Sequence, residues 1–173
     1  MIDVAASEMG KYLVDVSTKE LAGAFFEHHS RVSAHFGALP ESKADFAYAP
    51  GKWTVRQVAG HILVSNRIHM TRAICIARGE IQPLPGFDEN AYADNWPRAR
   101  VPLAVISAAY AAEAKVAQCW VLMLDKEDLL REGTANNIRL RPEHLLRAII
   151  GHESHHLKVL AERYGLGPLQ SKS

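Results

Sequence analysis

The chain has 173 residues, 48% of them hydrophobic and 23% charged, with 11 Gly and 8 Pro. That size and balance suit a single globular domain over residues 1–173, whose core needs no disulfide or metal staple. Twenty Lys and Arg against 19 Asp and Glu leave a formal charge of +1, and no basic stripe is present, so a nucleic-acid partner is not expected. The longest stretch free of charge, Val101 to Ala112, falls well short of the roughly 20 apolar residues that span a membrane. Met1 to Glu8 lacks the basic start and apolar run of a signal peptide. Cys75 and Cys119 stand alone inside helix-like segments and read as reduced thiols, so a cytoplasmic protein is expected.

Strand signals are scarce: no alternating β-branched run and no Asn-Gly or Asp-Gly turn appear, so a β-rich fold is not expected. Helical signals recur four times. Ser17-Thr18-Lys19-Glu20 reads as a capping box, followed by Leu21, Phe25, His28, Val32 and Phe36 at helical spacing up to the Gly37…Pro40 break. Thr54-Val55-Arg56-Gln57 is a second box, opening a helix to Arg78 that Gly79 stops. On its inward face lie Val55, Ile62, Asn66, His69 and Ala73, and Trp53 just before it suits a hydrophobic staple. Pro102 at the N1 position predicts a third helix to about Leu124. Pro142 does the same for a fourth, ending at Tyr164 before Gly165.

The connection from Gln82 to Asn90 is rich in Pro and Gly and too long for a tight hairpin between helices. Four helices with long connections predict an all-α four-helix bundle, its core at about residues 17–165 and the tail after Gly165 frayed.

The sharpest chemical signal is Gly151-His152-Glu153-Ser154-His155-His156. His152 and His156 project about 40° apart on a helix, a spacing that lets two imidazoles share one metal ion. Leu145, Ile149, His152, His156 and Leu160 step by four, three, four and four, so both histidines point inward with the apolar residues. Buried rings need partners, and a shared cation provides one; the plainer alternative is a pair of core histidines bonded to hydroxyls or carbonyls. His155, about 100° away, belongs on the flank or surface. Periodicity leaves the third ligand open among His28, His61 and His69.

Read literally, the same run satisfies H-E-x-x-H, the zincin pattern in which Glu153 would act on metal-held water. Only 17 residues follow His156, Val159 and Glu162 stand where the extended motif needs Gly and His, and the strands of a protease cleft are missing. A solvated helical carboxylate is an equal account of Glu153, and no catalytic acid or base is assigned. No P-loop, Gly-x-Gly-x-x-Gly or Ser/His/Asp order is present.

Three segments together resemble one family. Ala49 to His61 is similar to the start of helix two in the DinB/YfiT-like proteins, with its Trp-Thr cap and Gly-His pair. Leu84-Pro85-Gly86-Phe87-Asp88 resembles their loop before helix three, and His152 to His156 their last-helix H-x-x-x-H. The resemblance covers about residues 17–165. It implies a bundle in which His61, His152 and His156 bind a divalent ion, zinc or nickel first, with iron or manganese compatible with the same donors. It further implies an enzyme on a small-molecule substrate, either a metal-dependent hydrolase or an S-transferase using a low-molecular-weight thiol such as bacillithiol, mycothiol or glutathione. A maleylpyruvate isomerase is also among the relatives it brings in. Homodimers are implied too. The second reading, from another class, is a non-catalytic helical module that binds metal or a small ligand, or only dimerises.

Overall fold

The computed structural model describes residues 2–96 and 101–167, and four long helices make its frame. These are α1 (Leu21–Gly37), α2 (Val55–Ala77), α4 (Leu103–Leu122) and α6 (Pro142–Tyr164). Two short helices, α3 (Glu89–Asp94) and α5 (Lys126–Leu130), sit in the connections. Around the bundle the neighbours run α1, α4, α2, α6 and back to α1. Apart from α2 and α4, helices adjacent in space are therefore not consecutive among the four long helices, and the chain must cross the bundle to join them.

The helix ends follow the capping chemistry expected of them, with two shifts. Thr54 Oγ1 accepts from Gln57 N at 3.2 Å while Thr54 N donates to Gln57 Oε1 at 2.8 Å, a complete capping box. Gly165, at φ 68°, ends α6 in the left-handed conformation that glycine adopts without strain. The Ser17–Glu20 box instead forms a turn one step ahead of α1, Ser17 Oγ bonding the Glu20 carboxylate at 2.6 Å, and the helix begins at Leu21. Pro102 is the N-cap of α4 rather than its first helical residue. The frayed tail expected after Gly165 falls, beyond residue 167, outside the described residues.

Strand structure is present where none was expected. β2 (Gly133–Ala135) and β3 (Ile138–Leu140) pair antiparallel, and β1 (Ile2–Asp3) joins β3 in parallel. The turn is Asn136-Asn137, at φ 51° and 60°. Two successive positive φ values make the hairpin turn usually written Asn-Gly, and asparagine is the side-chain-bearing residue that best tolerates them. Ala135, Ile138 and Leu140 cover Ala73 and Ile76 of α2 and Leu145 of α6.

The bundle core has two apolar zones. One centres on Val32, Phe36, Val58, Ile62, Ile106 and Leu160, the other on Leu21, Phe25, Met70, Val121, Leu146 and Ile149. On three helices the numbering places polar residues between them: His28 and His29 on α1, Asn66 on α2 and Glu153 on α6; Tyr110 of α4 belongs to the first zone and turns its hydroxyl to Glu153.

Candidate metal centre

α2 and α6 pack side by side, and each contributes to one cluster of imidazoles. His61 Nε2 lies 3.0 Å from His152 Nε2, which in turn lies 3.0 Å from His156 Nε2. The three donor atoms all fall within 4.8 Å of one another. His61 and His152 are buried and His156 is partly so. The i, i+4 spacing on α6 makes the pair, and the Thr54 cap fixes the phasing of α2 that turns His61 toward it.

Burial pushes His61 down to about 4 and His156 to about 3. His152 is also pushed well below the ordinary histidine value, first by burial and then by its two imidazole neighbours. All three are thus neutral at pH 7, each with a lone pair to offer. One nitrogen, His152 Nε2, faces two others at hydrogen-bond distance and carries at most one proton. A shared cation would satisfy this donor set, and two nitrogens on one tetrahedral zinc lie about 3.3 Å apart, close to the two separations of 3.0 Å that His152 makes.

The surroundings hold the rings in place. Trp53 packs at 4.8 Å from His61 and stacks at 6.5 Å from His156, so its staple position also walls the cluster. Tyr12 stands edge-on to His152 at 5.3 Å. It is delivered by a 3-10 turn, Glu8–Tyr12, laid across α6 at Gly151, where any side chain would meet the Tyr12 carbonyl. His155 is exposed, as expected from its phase.

Of the other candidates, neither His28 nor His69 belongs to the cluster. His28 Nε2 instead lies 3.0 Å from Glu153 Oε2. His69, partly buried, lines a cavity of about 360 Å³ together with His152, and its Nδ1 is enclosed without a partner. Glu153 is not a solvated helical residue: it is 0% exposed, and Asn66 Nδ2 and Tyr110 Oη both donate to its Oε1. Burial alone would raise its carboxyl; the contacts of His28, His29 and Tyr110 outweigh that and hold it below the usual carboxylate value. Its carboxylate is committed to the polar layer between the two apolar zones, which removes it from the role the zincin pattern would give it.

A family model described as the DinB superfamily matches residues 24–160. The chain belongs to the DinB superfamily. Among solved structures it is similar to YfiT from Bacillus subtilis, described as a probable metal-dependent hydrolase with an unusual four-helix bundle topology. The TM-score is 0.72 at 19% identity, over 88% of each chain. A DinB-like protein from the same organism matches with a TM-score of 0.58 at 18% identity, over 82% of this chain and 87% of that one. At those identities the likeness is one of fold, and this DinB bundle shares its four-helix plan with both. Among curated proteins none matches.

The four polar residues of α2 that face the cluster and cavity are His61, Ser65, His69 and Arg72. Their spacing of four, four and three is one helical face, a signal available in the sequence but masked by the apolar residues beside it. Tyr12 gave no such signal, since its place depends on a chain segment outside the bundle.

Proposed function

We propose that His61, His152 and His156 hold a divalent metal ion, zinc or nickel first, and that this DinB protein is a cytoplasmic enzyme acting on a small molecule. The observation that carries the reading is the convergence of three neutral imidazole nitrogens from two helices. Three protein ligands leave a coordination position open, the arrangement of a catalytic rather than a structural site. When bound, such an ion lowers the pKa of a coordinated water or thiol, which suits hydrolysis or transfer of a low-molecular-weight thiol. The chain's own residues keep the site ready for it: Trp53 and Tyr12 fix ring orientation, burial keeps the imidazoles deprotonated, and Ser65 Oγ, 3.5 Å from His61 Nδ1, biases that ring's tautomer. The neighbouring cavity supplies room for a substrate.

Metal analysis of untagged protein tests this directly. About one ion per chain is expected, and His156→Ala should lose it; full occupancy in that variant would refute the assigned triad. Consumption of thiol with a model electrophile selects transfer over hydrolysis. Metal binding without turnover would leave a binding module.

A homodimer is part of the same proposal. Val105, Val116 and Met123 are about half exposed and, with Ala109, Ala112 and Cys119, form one stripe along the outer face of α4. No described helix is long and apolar enough to cross a membrane, and a stripe of this kind suits a second copy of the chain. Sedimentation of the wild type and of Val116→Glu tests it: a dimer for the first and a monomer for the second is the expected pair of results.

A further inference from the structure

We infer that the cavity beside the three imidazoles receives a small molecule bearing a carboxylate, and that Arg72 is the residue that recognises this group. The inference rests on the reading that the imidazoles mark the reacting end of the site.

Arg72 is only 6% exposed, yet no carboxylate lies within ion-pair distance of it among the described residues. The buried Arg56, by contrast, pairs with Glu41 at 3.0 Å and Asp45 at 3.2 Å. The hydrogen bond Arg72 makes is to a neutral group, Nη2 to the Pro85 carbonyl at 2.6 Å, and its guanidinium carbon sits 5.6 Å from the centre of the Phe87 ring. Burial works against its charge, but a guanidinium does not surrender its proton in a protein. A buried cation without an anion is costly to keep, and here it lines a cavity of about 360 Å³, within the range of small-molecule sites.

The rest of the cavity agrees with an anion at that position. His69 also lines it, its Nδ1 buried without a partner, and burial pushes the ring down to about 3, so it is a neutral group beside the guanidinium. Glu8, Asp88 and Glu89 also line the cavity, but all three are exposed. Glu8 is paired with Lys11, and Asp88 is engaged in capping α3 through Asn90 N and Ala91 N. Exposed charges at the mouth are screened by water and salt, whereas the buried Arg72 is screened less.

Geometry then sets the length of the ligand. Arg72 follows His61 by eleven residues, about 16 Å along the α2 axis, and long helical side chains lean back toward the N-terminus. The carboxylate of the substrate therefore sits well away from the atom that reacts at the imidazoles, at most about 16 Å from it along the axis, across a spacer that runs past Phe87.

The test compares two probes that differ only in charge. Metal-loaded protein is titrated calorimetrically with 6-mercaptohexanoate and with 6-mercaptohexanamide. The wild type should bind the acid about 10- to 100-fold more tightly than the amide, the range for a charge-assisted hydrogen bond. Arg72→Gln should erase that preference by weakening the acid far more than the amide, and Arg72→Lys should retain part of it. Equal binding of acid and amide by the wild type would overturn the inference. So would a preference that survives in Arg72→Gln, whether both probes weaken together, which would make Arg72 only a brace for the Pro85 loop, or neither does. Should Arg72→Gln fail to fold, Arg72→Lys decides, since a lysine cannot reproduce the forked contact and must lower the acid preference. Metal-free protein, titrated with hexanoate and hexanamide by NMR, should show the same preference. If no metal binds but this preference stands, the proposed function fails alone; if metal binds and the preference is absent, the carboxylate inference fails alone.

Discussion

His152 and Glu153 are consecutive residues of α6, yet their side chains serve different polar centres. His152 meets His61 and His156 at the α2–α6 seam, while Glu153 is held by Asn66 and Tyr110 in the bundle interior. The helical step of about 100° separates a candidate metal centre from a structural layer with no residue between them. Tyr110 takes part in that separation: burial and the adjacent Glu153 charge both raise its pKa, so it stays a donor.

Glu153→Ala should therefore cost stability rather than metal. It would leave Asn66 and Tyr110 donors pointing into a cavity, and breaking a buried charged network of this kind costs about 3–5 kcal/mol. Glu153→Gln, which keeps an acceptor oxygen, should cost less. Chemical denaturation alongside metal analysis distinguishes the cases, and loss of metal at unchanged stability would place Glu153 at the metal after all.

Trp53 gives an optical handle on the site. Its ring is 4.8 Å from His61 and 6.5 Å from His156, so binding of Ni²⁺ should quench its fluorescence. Trp53→Phe should reduce the quenching, the remainder coming mainly from Trp96, which packs on Gly60 beside His61. Quenching of equal size in the variant would mean that the ion binds elsewhere.

How legible these features were depends on how local their causes are. The four long helices were visible because caps and apolar spacing are written within each segment: Thr54 with Gln57, Pro142, Gly165. The His152–His156 pair was visible for the same reason. His61 was not selected by periodicity, because His28 and His69 share the inward phase, and only the packing of α2 against α6 separates the three; there the family resemblance chose the residue that the fold brings to the pair. The small sheet was hidden because strands of two and three residues are too short to display alternation, and its turn uses Asn-Asn in place of Asn-Gly. Nothing in the sequence singles out Arg72, since its isolation is a property of the loop folded over it.

That turn makes its own prediction. Asn137, at φ 60°, sits where glycine carries no steric penalty, so Asn137→Gly should be neutral or stabilise the protein by up to about 1 kcal/mol. Asn137→Val should destabilise it by a similar or larger amount, because a β-branched residue resists positive φ. Thermal melts of the two variants against wild type give the comparison, and equal melting temperatures would mean that the hairpin contributes nothing.

Two glycines that admit close neighbours should differ in their response to alanine. At Gly60 the added Cβ meets the Trp96 ring at 2.7 Å, a side chain that can shift. At Gly151 it meets the backbone carbonyl of Tyr12, which can yield only by lifting the N-terminal segment off α6. Gly151→Ala should cost about 1–3 kcal/mol and Gly60→Ala less. Because the lifted segment carries Tyr12 away from His152, Gly151→Ala should also speed metal loss to a chelator. An unchanged off-rate there would show that Tyr12 contributes nothing to holding the ring.

The pH dependence of the metal-free protein follows from the buried histidines. His61 titrates at about 4 in the folded protein, and His69 and His156 at about 3, all below the ordinary value of 6.5, with burial the leading cause in each case. The unfolded chain therefore binds more protons than the folded one between those limits, so stability rises with pH across that window. It is complete above about pH 6.5 and is lost progressively as the pH falls toward 4 and 3. Protons compete with metal at the same nitrogens, so the metal-loaded protein should show the same direction with a steeper onset. Melting temperatures measured from pH 7.5 to 5 should fall with acidification. His69→Gln, which removes one titrating ring without touching the triad, should flatten the slope in both forms. A melting temperature that rises on acidification through pH 6.5 would mean that these rings are charged in the folded protein, and neutral imidazoles could no longer be assigned to the centre.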